Sequence, residues 1–170
     1  MKNKIILLSG TVLLIAAFFF FLPKNSERGE CIAGDCVNGT GTLLFKDDTR
    51  YVGDFVGGDY NGRGVLIVPD GRKYEGEWKN NLPNGYGTQT NPDGTVYTGE
   101  WSGGKYDGRG TLTTAEGGSY TGAWKNDLPH GMGTLVRPDG SSFTGEFKNG
   151  TAVGEGVLTS PEGRETKVSL

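Results

Sequence analysis

Few residues in the 170-residue chain have side chains suited to chemistry: Cys31 and Cys36 are its only cysteines and His130 its only histidine. A Cys-x4-Cys pair offers two thiolates where a structural zinc takes four ligands. The pair therefore points to a local disulfide in an oxidising compartment, with free thiols as the alternative. His130 occupies a position held elsewhere by Asn61, Asn84 and Asp107, which marks it as an exposed turn residue and not as a base or ligand. Gly99-Glu100-Trp101-Ser102-Gly103-Gly104-Lys105 imitates the start of a phosphate-binding loop. Tyr106, however, stands where that loop needs Ser or Thr. Asn38-Gly39-Thr40 and Asn149-Gly150-Thr151 are formal glycosylation sequons, of consequence only in a eukaryotic secretory pathway. Asp54, Glu77, Glu100 and Glu146 recur as a carboxylate could in acid–base work or a calcium ladder, but beside Thr98, Thr121 and Thr144 they read as the charged outer face of strands. No Ser-His-Asp or Cys-His set is available, so the chain is expected to be neither an enzyme nor a carrier of a metal or cofactor.

What must position these residues is a 23-residue unit written five times without insertion or deletion: 51–73, 74–96, 97–119, 120–142 and 143–165. Its first place holds Tyr51, Tyr74, Tyr97, Tyr120 and Phe143, and its fifth holds Phe55, Trp78, Trp101, Trp124 and Phe147. Between them is always Gly: Gly53, Gly76, Gly99, Gly122 and Gly145. Side chains alternate along a strand with period two, so these ten rings share one face, while the even places carry mostly Lys, Glu, Asp and Thr. The central Gly leaves a gap for a ring from a neighbouring strand. Paired glycines follow, as in Gly62 and Gly64, then a short strand such as Gly64–Val68, then a turn such as Pro69-Asp70-Gly71. Pro-Asp-Gly suits a type I turn whose Gly takes positive φ. One hairpin alone is marginal in water, so the units are expected to continue side by side as one antiparallel sheet of roughly twelve strands.

This pattern strongly resembles the MORN repeat family, whose unit reads approximately Tyr-x-Gly-x-Trp-x-x-Gly-x-x-x-Gly-x-Gly with a following Asp-Gly turn. Tyr74-Glu75-Gly76-Glu77-Trp78 and Tyr97-Thr98-Gly99-Glu100-Trp101 carry it best. The last unit departs most, with Phe143 and Phe147. The resemblance implies an all-β, elongated sheet used for protein contacts, dimerisation or lipid association, with no activity of its own.

Upstream, Ile5–Leu22 is an uncharged run of 18 residues preceded by Lys2 and Lys4. As a helix it would be about 27 Å long, near the ~30 Å of a bilayer core. The expected organisation is thus a cytoplasmic N-terminus (1–4), a transmembrane helix (5–22), a linker (23–30), a degenerate capping repeat (31–50) and, after the five units, a C-terminal tail (166–170). A cleaved signal peptide is the rival, although Phe18–Leu22 offers no small-x-small site. Lys2 and Lys4 place the N-terminus inside and the repeats outside the cytoplasm, an asymmetry that Lys24 and Arg28 dilute. In the cap, Arg28 and Ile32 stand in the aromatic places, and Asp48 where the turn Gly would be.

Beyond residue 4 the chain has 15 basic and 20 acidic residues, a net of −5, which speaks against nucleic acid and anionic lipid. A second rhythm of 46 residues joins units one and three, through Gly57-Gly58-Asp59-Tyr60-Asn61-Gly62-Arg63 and Gly103-Gly104-Lys105-Tyr106-Asp107-Gly108-Arg109. Units two and four share Leu82-Pro83 and Leu128-Pro129 instead. Tyr60, Arg63, Tyr106 and Arg109 therefore recur at fixed pitch as a candidate binding face, Tyr and Arg being favoured interface residues. The bland reading is that the tyrosines fill the space that Leu-Pro fills in the other units. The expected function is a membrane-anchored scaffold contacting a protein partner or a second copy. A glycan, envelope-polymer or lipid binder using exposed Trp78, Trp101 and Trp124 is the alternative.

Overall fold

A computed structural model describes residues 29–170. The expected anchor at 5–22, the segment before it and residues 23–28 of the linker lie outside the described residues. Among the described residues no helix is long and apolar enough to cross a membrane.

The described chain is a single 13-stranded antiparallel sheet in which every strand pairs with its neighbours in sequence. The cap provides β1 (Glu30–Gly34) and β2 (Thr40–Leu44). The repeats provide β3 (Arg50–Val56), β4 (Asp59–Ile67), β5 (Lys73–Lys79), β6 (Leu82–Thr90), β7 (Val96–Ser102) and β8 (Lys105–Thr113). They continue with β9 (Ser119–Lys125), β10 (Leu128–Val136), β11 (Ser142–Lys148) and β12 (Thr151–Thr159). β13 (Glu165–Ser169) completes the sheet, so most of the expected C-terminal tail is a strand. It covers the edge that β12 would otherwise expose, and Val168 packs against the core.

Each unit contains two turns, one of which the Pro-Asp-Gly signal marks. Val68 N–H donates to Arg72 O and Gly71 N–H to Val68 O, both at 2.9 Å, with Gly71 at φ 94°. Asp48 takes the same role in the cap at φ 64°. The other turn joins the paired strands through two residues at positive φ: Gly57-Gly58, Asn80-Asn81, Gly103-Gly104, Asn126-Asp127 and Asn149-Gly150. Two such residues make the type I′ turn whose twist matches that of its flanking strands. For this reason the second strand of a unit begins at Asp59 and not, as expected, at Gly64.

The two strands of a unit are not in simple register. In the first, Gly53 faces Gly64 and Phe55 faces Tyr60, so Asp54 alone stands opposite Asn61, Gly62 and Arg63. The bulge recurs in repeats two, three and four. Its middle residue, Gly62, Gly85, Gly108 or Gly131, has φ between 74° and 111°, a conformation that a side chain would strain.

A candidate binding groove

All ten repeat rings belong to the core. Tyr51 and Tyr74 are fully inaccessible, and Trp78, Trp101 and Trp124 are only 3–4% exposed. Their polar tips are bonded to backbone. The hydroxyls of Tyr51, Tyr74, Tyr97 and Tyr120 donate to the carbonyls of Asp54, Glu77, Glu100 and Ala123 at 2.9–3.1 Å. Trp78, Trp101 and Trp124 donate through Nε1 to Gly64, Gly87 and Gly110 of the preceding repeat at 3.1–3.2 Å. The ring over the glycine gap comes from the same strand, not from a neighbour, and the neighbouring strand contributes only backbone there. Tyr51 folds back over the Gly53–Gly64 pair, where a Cβ on Gly64 would lie 2.3 Å from its hydroxyl. Burial pushes the phenols of Tyr51, Tyr60, Tyr74, Tyr97 and Tyr106 far above their ordinary range and that of Tyr120 to about 12.

Tyr60 and Tyr106 are also core residues. Each stacks on the first ring of its own unit, Tyr60 on Tyr51 and Tyr106 on Tyr97, with centroids 3.7 Å apart. Pro83 is fully buried in the same place of repeat two. The structure thus separates the four residues of the expected binding face: both tyrosines point inward and both arginines are exposed.

The rhythm that suggested that face has an internal cause. The backbone N–H of Tyr60 donates to Asn81 Oδ1 of the next turn at 2.8 Å, and Asn81 N–H returns a bond to Tyr60 O at 3.1 Å. Tyr106 and Asp127 repeat the exchange at 2.9 and 3.0 Å. Where the place is Pro83 or Pro129 there is no N–H to satisfy, and the next turn carries Gly104 or Gly150, whose N–H bonds the proline carbonyl at 2.9 Å. Tyr is therefore followed by Asn or Asp, and Pro by Gly. The 46-residue period is the wavelength of this edge-to-edge coupling.

The opposite, polar face carries a different row. The residue after each bulge glycine projects outward: Arg63, Tyr86, Arg109 and Met132, with Tyr86 57% and Met132 65% exposed. Tyr86, Arg109 and Met132 line a groove together with Thr98, Glu100, Thr111, Thr121 and Ala123, over the glycines Gly99, Gly110 and Gly122. Its floor is tied across repeats by threonine hydroxyls, Thr111 to Thr121 at 3.0 Å and Thr88 to Thr98 at 3.1 Å. Three of the recurrent carboxylates have a structural role. Asp54, Glu77 and Glu100 accept the N–H of Arg63, Tyr86 and Arg109 at 3.0, 3.1 and 3.2 Å, holding the bulge closed. That bond, and a second from Thr40, lowers the Asp54 pKa. Tyr86 and Met132 were hidden from the sequence reading because they break the 46-residue rhythm; the signal available was the shared place after the bulge glycine. Among the described residues no group of three His, Cys, Asp or Glu is arranged to hold a metal.

In the cap, Cys31 and Cys36 form a disulfide. The Cys36 sulfur covers Gly41, the glycine that a tyrosine ring covers in every full repeat but the last.

The sequence model of the MORN repeat family matches at residues 51–71, 74–96, 97–119, 120–142 and 143–163. The chain belongs to the MORN repeat family. No curated protein matches it. Among solved structures, the TCP domain of SAS-4 (dCPAP) from Drosophila melanogaster, in complex with a proline-rich motif of Ana2 (dSTIL), aligns at 13% identity and a TM-score of 0.41 over 88% of this chain and 99% of that one. The wild-type TCP10 domain of Danio rerio CPAP aligns at 17% identity and a TM-score of 0.21, over 86% and 97%. Likenesses this distant carry nothing about the partner of the present MORN chain.

Proposed function

We propose that this MORN-repeat chain is a non-enzymatic scaffold that binds a protein partner through the polar-face groove, held at a membrane by Ile5–Leu22 with the repeats outside the cytoplasm. The observation that carries the reading is the division of labour between faces. The aromatic face is consumed by folding, whereas Tyr86, Arg109 and Met132 are exposed on the other although nothing in the fold requires an aromatic or a methionine there. Tyr, Arg and Met are enriched at the centres of protein interfaces. The Cys31–Cys36 disulfide supports an oxidising environment for the repeats. Burial of the three tryptophans removes the exposed ladder that glycan binding would use. The test is a photo-crosslinking residue placed at 86 or 132 of the full chain in intact cells, with position 56, exposed in β3, as control. Discrete protein adducts from 86 and 132 but not from 56 are expected. Adducts from 56 alone, or lipid as the sole attached species, would overturn the groove.

A further inference from the structure

We infer that the fourth bulge is a docking point for a carboxylate supplied by another protein, an inference that rests on the scaffold reading above and names the chemistry its groove selects. Three bulges show what their outward amide takes. Asp54, Glu77 and Glu100 each place a carboxylate oxygen on the N–H of the residue after the bulge glycine, at 3.0, 3.1 and 3.2 Å. The space above those glycines is correspondingly full: a Cβ on Gly62, Gly85 or Gly108 would lie 2.7, 2.7 or 2.5 Å from the carboxylate. Repeat four has the same register, with Gly122 facing Gly133 and Trp124 facing Pro129, and Gly131 has the same positive φ. It carries Ala123 where the others carry Asp or Glu. Ala123 has no side-chain acceptor to offer the Met132 amide, and a Cβ on Gly131 would find only the Ala123 methyl, at 3.5 Å.

The same backbone is thus present without its carboxylate, and it opens into the groove lined by Tyr86, Arg109 and Met132. A glutamate or aspartate side chain from an extended segment of a partner would accept the Met132 N–H as Glu100 accepts that of Arg109. Arg109 supplies the opposite charge along the approach, and exposed Tyr86 and Met132 supply apolar contact for the flanking residues. Repeat five does not duplicate the site. There a carboxylate, Glu146, stands in the place of Ala123 and pairs directly with Val153, with the register shift between Gly145 and Glu146.

The experiment follows backbone amide resonances of the full chain in detergent micelles while adding the peptide acetyl-Thr-Glu-Thr-Glu-Thr-amide or its Gln counterpart. The Glu peptide is expected to shift the Met132 amide saturably, and the Gln peptide to bind roughly tenfold or more weakly, as loss of one hydrogen bond to a charged group implies. Ala123→Glu should fill the site from within and abolish the shift while leaving the remaining spectrum in place; Arg109→Gln should weaken binding. An unmoved Met132 amide at saturating peptide, equal binding of the Gln peptide, or undiminished binding by Ala123→Glu would overturn the inference. Free acetate shifting Met132 as strongly as the peptide would also overturn it, showing a generic anion site. If crosslinked partners persist with Ala123→Glu, the scaffold reading stands and this site falls.

Discussion

An alanine at Gly87 would bring a Cβ to 2.3 Å from the Tyr74 hydroxyl and 2.6 Å from its ring. Gly87 lies at a strand position without positive φ, so the penalty is steric: ring and backbone must part, at about 1–3 kcal/mol. Urea unfolding should show that loss for Gly87→Ala, and Tyr74→Phe introduced with it should recover part because the hydroxyl is the nearest atom. Tyr120→Phe deletes one bond to Ala123 O and should cost about 1 kcal/mol; Phe143 already stands in that place in the last repeat. The core phenols also set a pH limit. Their folded pKa values lie above the ordinary value near 10, so the native sheet retains protons that the unfolded chain gives up. Stability is whole below about pH 10 and falls as pH rises toward the folded values. In the Tyr86→Phe variant, which keeps only the six buried tyrosines, tyrosinate absorbance and loss of the strand circular-dichroism signal should therefore appear together on alkaline titration; tyrosinate forming well before unfolding in that variant would contradict the buried assignment.

At the scale of elements, the pairing between successive turns makes a reciprocal prediction. Pro129→Ala creates a buried N–H beside Gly150, which has no side-chain acceptor, and should destabilise the sheet by about 1–3 kcal/mol. Adding Gly150→Asn installs the acceptor used by Tyr60 and Asn81 at a position already in positive φ, and should restore most of the loss in a double-mutant cycle. Additive losses would contradict the coupling. In the cap, the disulfide closes a short loop worth about 2 kcal/mol on the chain-entropy account. Its reduction should raise hydrogen exchange in β1 and β2 and leave β5 to β10 protected.

How legible these features were depended on which residues define the strand. The repeat, the ring face and the Pro-Asp-Gly turns follow from periodicity and turn chemistry alone. The second turn is not legible in the sequence, because Gly57-Gly58 and Asn80-Asn81 look unalike as letters although both tolerate positive φ. With the strand taken to start at Gly64, nothing assigned Tyr60 a face. Once it starts at Asp59, period two sends Tyr60 inward and Arg63 outward. The bulge carboxylates were equally hidden, since Asp54 on an outward place is indistinguishable by sequence from a solvated charge.

For the whole molecule, stability is a sum over neighbours, so what matters on shortening is whether the new junction matches. Removing residues 97–142 brings Pro83 beside Gly150, a matched pair; removing 97–119 brings Pro83 beside Asp127, leaving a carboxylate with no N–H to accept. The 46-residue deletion should melt no lower than the 23-residue deletion despite its smaller array. A steady decline with repeat number would mean that the alternation carries no energy.

The most direct test of the two-faced account is the triple variant Tyr86→Ser, Arg109→Ser, Met132→Ser in the full chain, measured for melting temperature and for crosslinked protein partners together. Exposed positions outside the packing should each move stability by no more than about 0.5 kcal/mol. The account predicts an almost unchanged melting temperature and loss of the adducts. A large fall in melting temperature, or adducts retained in full, would contradict it.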